Sequence, residues 1–101
     1  MDATVELLID ELTTTLAGPL EDPEWTPETA IAWRMHLLGL RRVLERGETP
    51  HGDQYHLTKW IAFDGAHDGP IAARFAALQA RLHELYAEEE WWFTAHAVVR
   101  G

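Results

Sequence analysis

The carboxy-terminal third of the chain carries one long helical seam, which restricts the possible folds more than any other feature. From residue 71 onwards, seam residues recur at alternating four- and three-residue steps, the spacing of one face of an α-helix. The apolar half consists of Ile71, Phe75, Leu78, Leu82 and Leu85, and the mixed half of Glu89, Trp92, His96 and Val99. As one helix, residues 70–99 would span roughly 45 Å, whereas a compact domain of this length has a radius of gyration of about 13 Å. The seam therefore predicts a long C-terminal helix that breaks near Glu88, projects from the domain, or packs against a second copy.

A first amphipathic helix is predicted near the amino terminus. Asp2 or Thr4 can act as its N-cap, because a short oxygen-bearing side chain accepts a hydrogen bond from a free backbone N–H of the first turn. The apolar residues on one face are Val5, Leu8, Leu12 and Leu16. Gly18 and Pro19 end the pattern, since neither residue continues a helix well.

The second predicted helix has the strongest start signal in the chain. Thr26 suits the N-cap and Pro27 the first helical position, and the helix runs to about Arg46, with Gly47 after it. Its apolar stripe consists of Ala30, Trp33, Leu37, Leu40 and Leu44, and Ile31, Met35 and Leu38 widen that stripe. So broad an apolar arc predicts a helix that is buried on more than one side, at the centre of a small bundle. Trp25, just before the cap, is expected to pack against Ala30 or Ile31.

Residues 54–63 fit two different structures. Apolar and aromatic residues at odd positions allow a strand, for which residues 91–99 are the best candidate partner. Alternatively, Asp53 caps a short helix that buries Leu57, Trp60 and Ile61. We favour the helix, because no second segment has a convincing strand pattern.

Together these patterns predict an all-α fold, a small bundle of three to four helices with a long C-terminal helix. The length of 101 residues suits one core, so residues 1–101 are expected to form a single helical domain. The amino terminus does not resemble a secretory signal peptide, and no apolar run approaches the length of a membrane span. We therefore expect a cytoplasmic protein that does not bind membranes.

The composition excludes several classes of function. The formal net charge is −9, from 17 acidic and 8 basic residues. Direct nucleic-acid binding is not expected, since it requires clustered Lys and Arg side chains. The chain contains no cysteine, so disulfides, thiolate metal sites and a cysteine nucleophile are excluded.

The densest group of possible metal ligands lies in residues 51–68. Imidazole and carboxylate groups bind divalent metals, and the candidates are His51, Asp53, His56 and His67. Their spacing matches no tight metal-binding motif, so we predict no metal, no cofactor and no catalytic residue. The alternative hypothesis is a small metal- or ligand-binding helical enzyme that uses this His/Asp cluster.

The strongest functional signal is an aromatic run beside an acidic one, Trp91-Trp92-Phe93 after Glu88-Glu89-Glu90. One helix cannot hide three consecutive aromatic residues against so small a core, unless residues 54–63 fold back over them. Exposed aromatic clusters with a charged rim are typical of protein–protein surfaces. We therefore predict a protein-binding module rather than an enzyme: an accessory, inhibitor or regulator of a larger protein, or a homo-oligomer. The predicted partner-binding residues are Leu85, Glu89, Trp91, Trp92, Phe93 and His96.

Overall fold

The computed structural model describes residues 1–65 and 68–86 of the chain. Over these residues the chain forms four α-helices and no strand. They are α1 (Ala3–Ala17), α2 (Pro27–Glu45), α3 (Leu57–Phe63) and α4 (Pro70–Leu85), with a 3-10 turn at Gly52–Gln54. The prediction of a small all-α bundle is confirmed. None of the described helices combines the length and the apolar character that crossing a bilayer requires.

The α2 helix is not the centre of the bundle that the sequence predicts, since α1 and α4 each pack against two of the other described helices and α2 against one. The α1 helix packs against both α2 and α4, while α3 packs against α4. Asp2 is the N-cap of α1, since one carboxylate oxygen accepts a hydrogen bond from the Val5 N–H at 3.1 Å. Its buried stripe consists of Val5, Ile9, Leu12 and Leu16.

The α2 helix is buried on one side only. Its core stripe is the predicted one, Ala30, Trp33, Leu37, Leu40 and Leu44. Ile31 and Met35, which were expected to widen this stripe, are 64% and 65% exposed. At 100° per residue they lie on the side of the helix away from the core, and α1 covers only the near side. The prediction that α2 is buried on more than one side, which was based on its broad apolar arc, was therefore wrong.

Three aromatic rings join the connector before α2 to α4. The buried Trp25 ring stacks on Phe75 with the centroids 5.7 Å apart, and Trp33 meets the same ring edge-on at 5.5 Å. Trp25 and Ala30, one of its two predicted partners, are buried in the same core cluster, whereas Ile31 is exposed; the stacked partner of the Trp25 ring belongs to α4. These contacts bring α2 and α4 together across one end of the core.

Residues 57–63 form the predicted short helix rather than a strand. Leu57 and Ile61 are buried as expected, but Trp60 is 41% exposed, so its predicted burial was wrong. Trp60 lies 100° around the helix from Ile61, and α4 covers only the face that carries Leu57 and Ile61. Asp53 does not cap this helix; the Gln79 side chain of α4 instead accepts a hydrogen bond from the Thr58 N–H at 2.8 Å.

The α4 helix ends at Leu85, and Tyr86 has an extended backbone. The Tyr86 carbonyl oxygen accepts a hydrogen bond from the Tyr55 hydroxyl at 2.9 Å. The long C-terminal helix predicted from the seam is therefore not confirmed. The mixed half of that seam falls within residues 87–101, which lie outside the described residues.

An ion pair connects the start of α1 to the last turns of α4. The Arg81 guanidinium donates two hydrogen bonds to the Asp2 carboxylate, at 2.9 and 3.2 Å, and a third to Glu84 at 2.7 Å. The hydrogen bonds from Arg81, together with that from the Val5 N–H, lower the pKa of Asp2 to about 2. The Asp2 side chain thus caps α1 and also joins α1 to α4.

The burial of one side of α2 predicts effects of very different size for truncations at Leu37 and Met35. Leu37 is fully buried, so Leu37→Ala should lower the free energy of unfolding by about 2–5 kcal/mol. Met35→Ala, on the exposed side, should change it by less than about 0.5 kcal/mol. Urea denaturation of both variants measures the two values. Comparable losses would mean that the outer side of α2 is also part of the core.

The Asp2–Arg81 pair predicts a pH-dependent stability. The pKa of Asp2 is lower in the folded state than in the unfolded state. The stabilisation of the fold by the ionised Asp2 carboxylate is therefore fully present above the unfolded-state pKa of about 4, and it is lost as the pH falls through about 2. Asp2→Asn keeps an N-cap side chain but removes the charge, so it should lower the melting temperature at neutral pH and not at about pH 1, below both pKa values. Thermal unfolding followed by circular dichroism measures both differences.

Glu84→Gln is the matched control, because it removes the more exposed carboxylate on the same guanidinium. It should change the melting temperature less than Asp2→Asn does at neutral pH. A deficit of Asp2→Asn that persists in acid would contradict the assignment to the ion pair.

Candidate partner-binding site

Most of the predicted partner-binding residues cannot be placed in the described fold. Leu85 lies in the last turn of α4 and is 39% exposed, as an interface residue can be. Five others lie outside the described residues: Glu89, Trp91, Trp92, Phe93 and His96. Their role in binding stays a prediction from the sequence.

The candidate metal ligands do not meet at one centre in the described part of the chain. Asp53 lies beside His36 of α2, whereas the His56 ring lies against the rings of Tyr55 and His83. His67 lies outside the described residues. Within residues 1–65 and 68–86, no group of three or more His, Cys, Asp or Glu side chains is arranged to hold a metal ion.

The His56–His83 cluster has a structural function. The buried Tyr55 ring stacks on His83 with the centroids 3.9 Å apart, and His83 Nε2 donates a hydrogen bond to the Tyr55 carbonyl oxygen at 2.9 Å. The Tyr55 hydroxyl in turn bonds the Tyr86 carbonyl. These contacts attach the 3-10 turn and the residues after it to the end of α4.

An exposed aromatic pair lies on α3, formed by Phe63 and by Trp60, for which the sequence predicts burial. The Trp60 and Phe63 rings stack with their centroids 5.5 Å apart, and Phe63 is 73% exposed. The Lys59 ammonium lies 5.6 Å from the Trp60 ring centroid, within the range of a cation–π contact. Two aromatic residues three positions apart therefore form one apolar surface on a helix of only seven residues.

A concave pocket adjoins this pair, between α2 and α3. We call it the α2–α3 pocket; its volume is about 220 Å³ and it is lined by Ala32, Trp33, His36, Asp53, Trp60 and Asp64. Two of these side chains are indoles and two are carboxylates. Aromatic walls beside acidic groups provide both a π-face and negative charge at one place on the surface.

Hydrogen bonds hold the walls of the pocket in position. The Trp33 indole Nε1–H donates to Asp64 Oδ2 at 2.7 Å, which fixes the carboxylate that follows α3. His36 Nε2 donates to the Asp53 carbonyl oxygen at 2.9 Å and so holds the 3-10 turn against α2. His36 Nδ1 lies 4.0 Å from Asp53 Oδ2, which is an ion-pair contact only when the ring carries both protons.

Sequence reasoning missed this pocket because its residues are far apart along the chain. Trp33 and Asp64 are separated by 31 positions, and His36 and Asp53 by 17. The sequence predicts Asp53 as a possible metal ligand and Trp33 and Trp60 as core residues, but it does not place them at one site. The helical spacing of the apolar residues predicts correctly that Trp33 lies in the core. It does not reveal that the indole N–H donates a hydrogen bond to an aspartate at the end of α3.

Comparison of the chain with protein-family models, with curated proteins and with solved structures finds no match. What the site can bind therefore has to follow from its own residues. The exposed pair Trp60–Phe63 supplies apolar contact area, and the α2–α3 pocket supplies a small acidic recess beside it.

The hydrogen bond from Trp33 predicts a difference between two tryptophan substitutions. Trp25 and Trp33 are both buried and both touch Phe75, but Trp25 Nε1 has no hydrogen-bond partner among the residues that the structure describes. Trp33→Phe should therefore lower the free energy of unfolding by about 1 kcal/mol more than Trp25→Phe. Chemical denaturation of the two variants measures this difference. Equal losses would mean that the Trp33–Asp64 bond adds nothing to stability.

Proposed function

We propose that this chain is a small acidic helical module that binds another protein through the face formed by α3 and the α2–α3 pocket. The observation that carries the proposal is the stacked pair of Trp60 and Phe63, which is exposed although both residues are large and apolar. Tryptophan is among the residues most enriched at the energetic centres of interfaces. A module of this kind acts as an accessory, inhibitor or regulator of a larger protein.

The apolar pair accounts for most of the expected affinity. Burying a phenylalanine side chain that is now largely exposed contributes about 1.5–3 kcal/mol. An ion pair at an exposed rim contributes only about 0–1 kcal/mol. The aromatic rings thus supply the binding energy, while the charges around them select the partner and speed the encounter.

The charge of the chain favours a foreign partner over a second copy. With a net charge of −9, two copies repel one another, whereas a partner with a basic surface is attracted. Acidic side chains also line the site itself, at Asp53 and Asp64. We therefore expect the free protein to be monomeric and its partner to present basic and apolar groups together.

The double variant Trp60→Ala/Phe63→Ala tests this surface. Both side chains are exposed, so the helical circular dichroism spectrum should be retained while partner binding is lost. Each anchor is expected to contribute about 2 kcal/mol or more, roughly thirtyfold in the dissociation constant. Proteins captured from a lysate by the immobilised wild type, but not by the double variant, are purified and titrated against both by calorimetry.

Leu7→Ala is the matched control, since Leu7 is an equally exposed apolar residue on α1. It should capture and bind the same proteins as the wild type does. Retention of those proteins by the double variant would contradict the proposal. Light scattering completes the test: a wild-type dimer that the double variant abolishes would make a second copy the occupant of this surface.

A further inference from the structure

We propose that the α2–α3 pocket receives the guanidinium group of an arginine side chain presented by the partner. This inference rests on the proposed function, because the arginine belongs to the bound protein. It goes further in assigning a chemical group to one defined recess, lined by Trp33, His36, Asp53, Trp60 and Asp64 with Ala32 at its wall.

The lining of the pocket is complementary to an organic cation. Indole rings attract a cation over their faces, and the attraction grows as the cation loses water. Carboxylates accept charge-assisted hydrogen bonds from the same cation, and these are roughly twice as strong as neutral ones. Trp60, which is 41% exposed, provides the first kind of contact, and Asp53 and Asp64 provide the second, so one bound group can use both.

The size of the pocket selects a side-chain head group rather than a free metabolite. Its volume of about 220 Å³ lies below the roughly 300–1,000 Å³ of ordinary small-molecule sites. A recess of this size, open beside the exposed Trp60–Phe63 pair, suits one long side chain entering from a surface that covers the pair. The chain's own Lys59 is not among the residues that line the pocket, so its ammonium does not fill it.

The carboxylates retain acceptor capacity for an incoming donor. Asp64 Oδ2 accepts the Trp33 indole N–H, but an ionised carboxylate has two oxygens and about four acceptor positions. The Asp53 side chain is 60% exposed, so it can turn towards a ligand with little loss of packing. The indole bond to Asp64 also holds that carboxylate in place before binding, which reduces the entropy that binding costs.

Arginine fits these walls better than lysine does. The guanidinium is planar, stacks on aromatic faces, is weakly hydrated and presents several donors in a fixed fork. The lysine ammonium is a compact, strongly hydrated charge that stacks poorly. A site that combines indoles with two carboxylates can stack on the plane of the guanidinium, accept hydrogen bonds from its donors, and remove its weakly held water at low cost.

A second acidic recess on the chain provides the internal contrast. It is lined by Glu21, Asp22, Pro23, Glu24, Asp68, Gly69 and Pro70, and it has acids but no aromatic side chain. A cation attracted only by the net negative charge would visit both recesses. A guanidinium held by indoles and carboxylates together would prefer the α2–α3 pocket.

The test uses the full chain labelled with ¹⁵N and three blocked amino acids as probes. Acetyl-arginine amide, acetyl-lysine amide and acetyl-citrulline amide are titrated while the indole N–H signals of Trp33 and Trp60 are followed. Citrulline has the shape of arginine without its charge. We expect saturable shifts of both indole signals with the arginine probe in the millimolar range, weaker shifts with lysine, and none that saturate with citrulline.

Three variants locate the binding. Asp53→Asn and Asp64→Asn should each weaken the arginine probe about two- to fivefold, and Asp64→Asn keeps an oxygen acceptor for the Trp33 indole. Glu21→Gln makes the same change in net charge at the other recess and should leave the affinity unchanged. Equal binding of arginine and citrulline, equal binding of arginine and lysine, no saturable shift, or an equal loss in Glu21→Gln would each overturn the assignment.

These outcomes are separate from those that test the proposed function. If the arginine probe does not bind but Trp60→Ala/Phe63→Ala still abolishes partner binding, the proposal that the α3 surface binds the partner is kept. Only the assignment of a guanidinium to the pocket is then rejected. If the double variant binds the partner normally, the proposed function fails whatever the probe does.

Discussion

Trp33 takes part in both the core and the surface of this protein, and much of the remaining structure depends on its position. Its ring packs edge-on against Phe75 of α4, beside the stacked ring of Trp25. Its indole N–H reaches out of the core to the Asp64 carboxylate at the end of α3. A tryptophan can do this because one edge of its large apolar ring carries a donor. The same residue therefore holds three segments together and forms one wall of the proposed binding pocket.

The small size of the bundle explains why apolar side chains stay at the surface. A domain of about this length buries a smaller fraction of its surface than a larger one does, so each helix is covered on one side only. Ile31 and Met35 on α2 and Trp60 and Phe63 on α3 remain exposed for this reason. Among them, the α3 pair differs from the α2 pair because it adjoins a recess with acidic walls. Apolar area combined with a charged recess favours binding of a specific partner over simple incomplete burial.

Three arginine side chains at the surface of the bundle connect its helices. Arg81 bonds Asp2 and Glu84, Arg41 pairs with Asp10, and Arg74 donates to the Thr15 hydroxyl. These contacts join α1 to both of its neighbours, α2 and α4. The acidic residues outnumber the basic ones, which leaves a surface that attracts cations and repels a second copy.

The amino-acid sequence by itself determined where α1 and α2 begin and most of the residues that share the core face of each helix. Thr26, Pro27 and Gly47 act through local backbone geometry, and the 3.6-residue period selected the core stripe of α2 and most of the stripes of α1 and α4. Leu8, predicted on the core face of α1, is only partly buried beside the buried Ile9, and Leu85 of α4 is 39% exposed. The periodicity shows which residues share one face of a helix, but it does not show how many other helices pack against that helix. The tertiary structure alone decided that α2 packs against only one of the other described helices, that Met35 and Trp60 are exposed, and that α4 ends at Leu85. It also created the α2–α3 pocket, where two pairs of residues meet that are separated by 17 and by 31 positions along the chain. These residues come together only after the helices have packed.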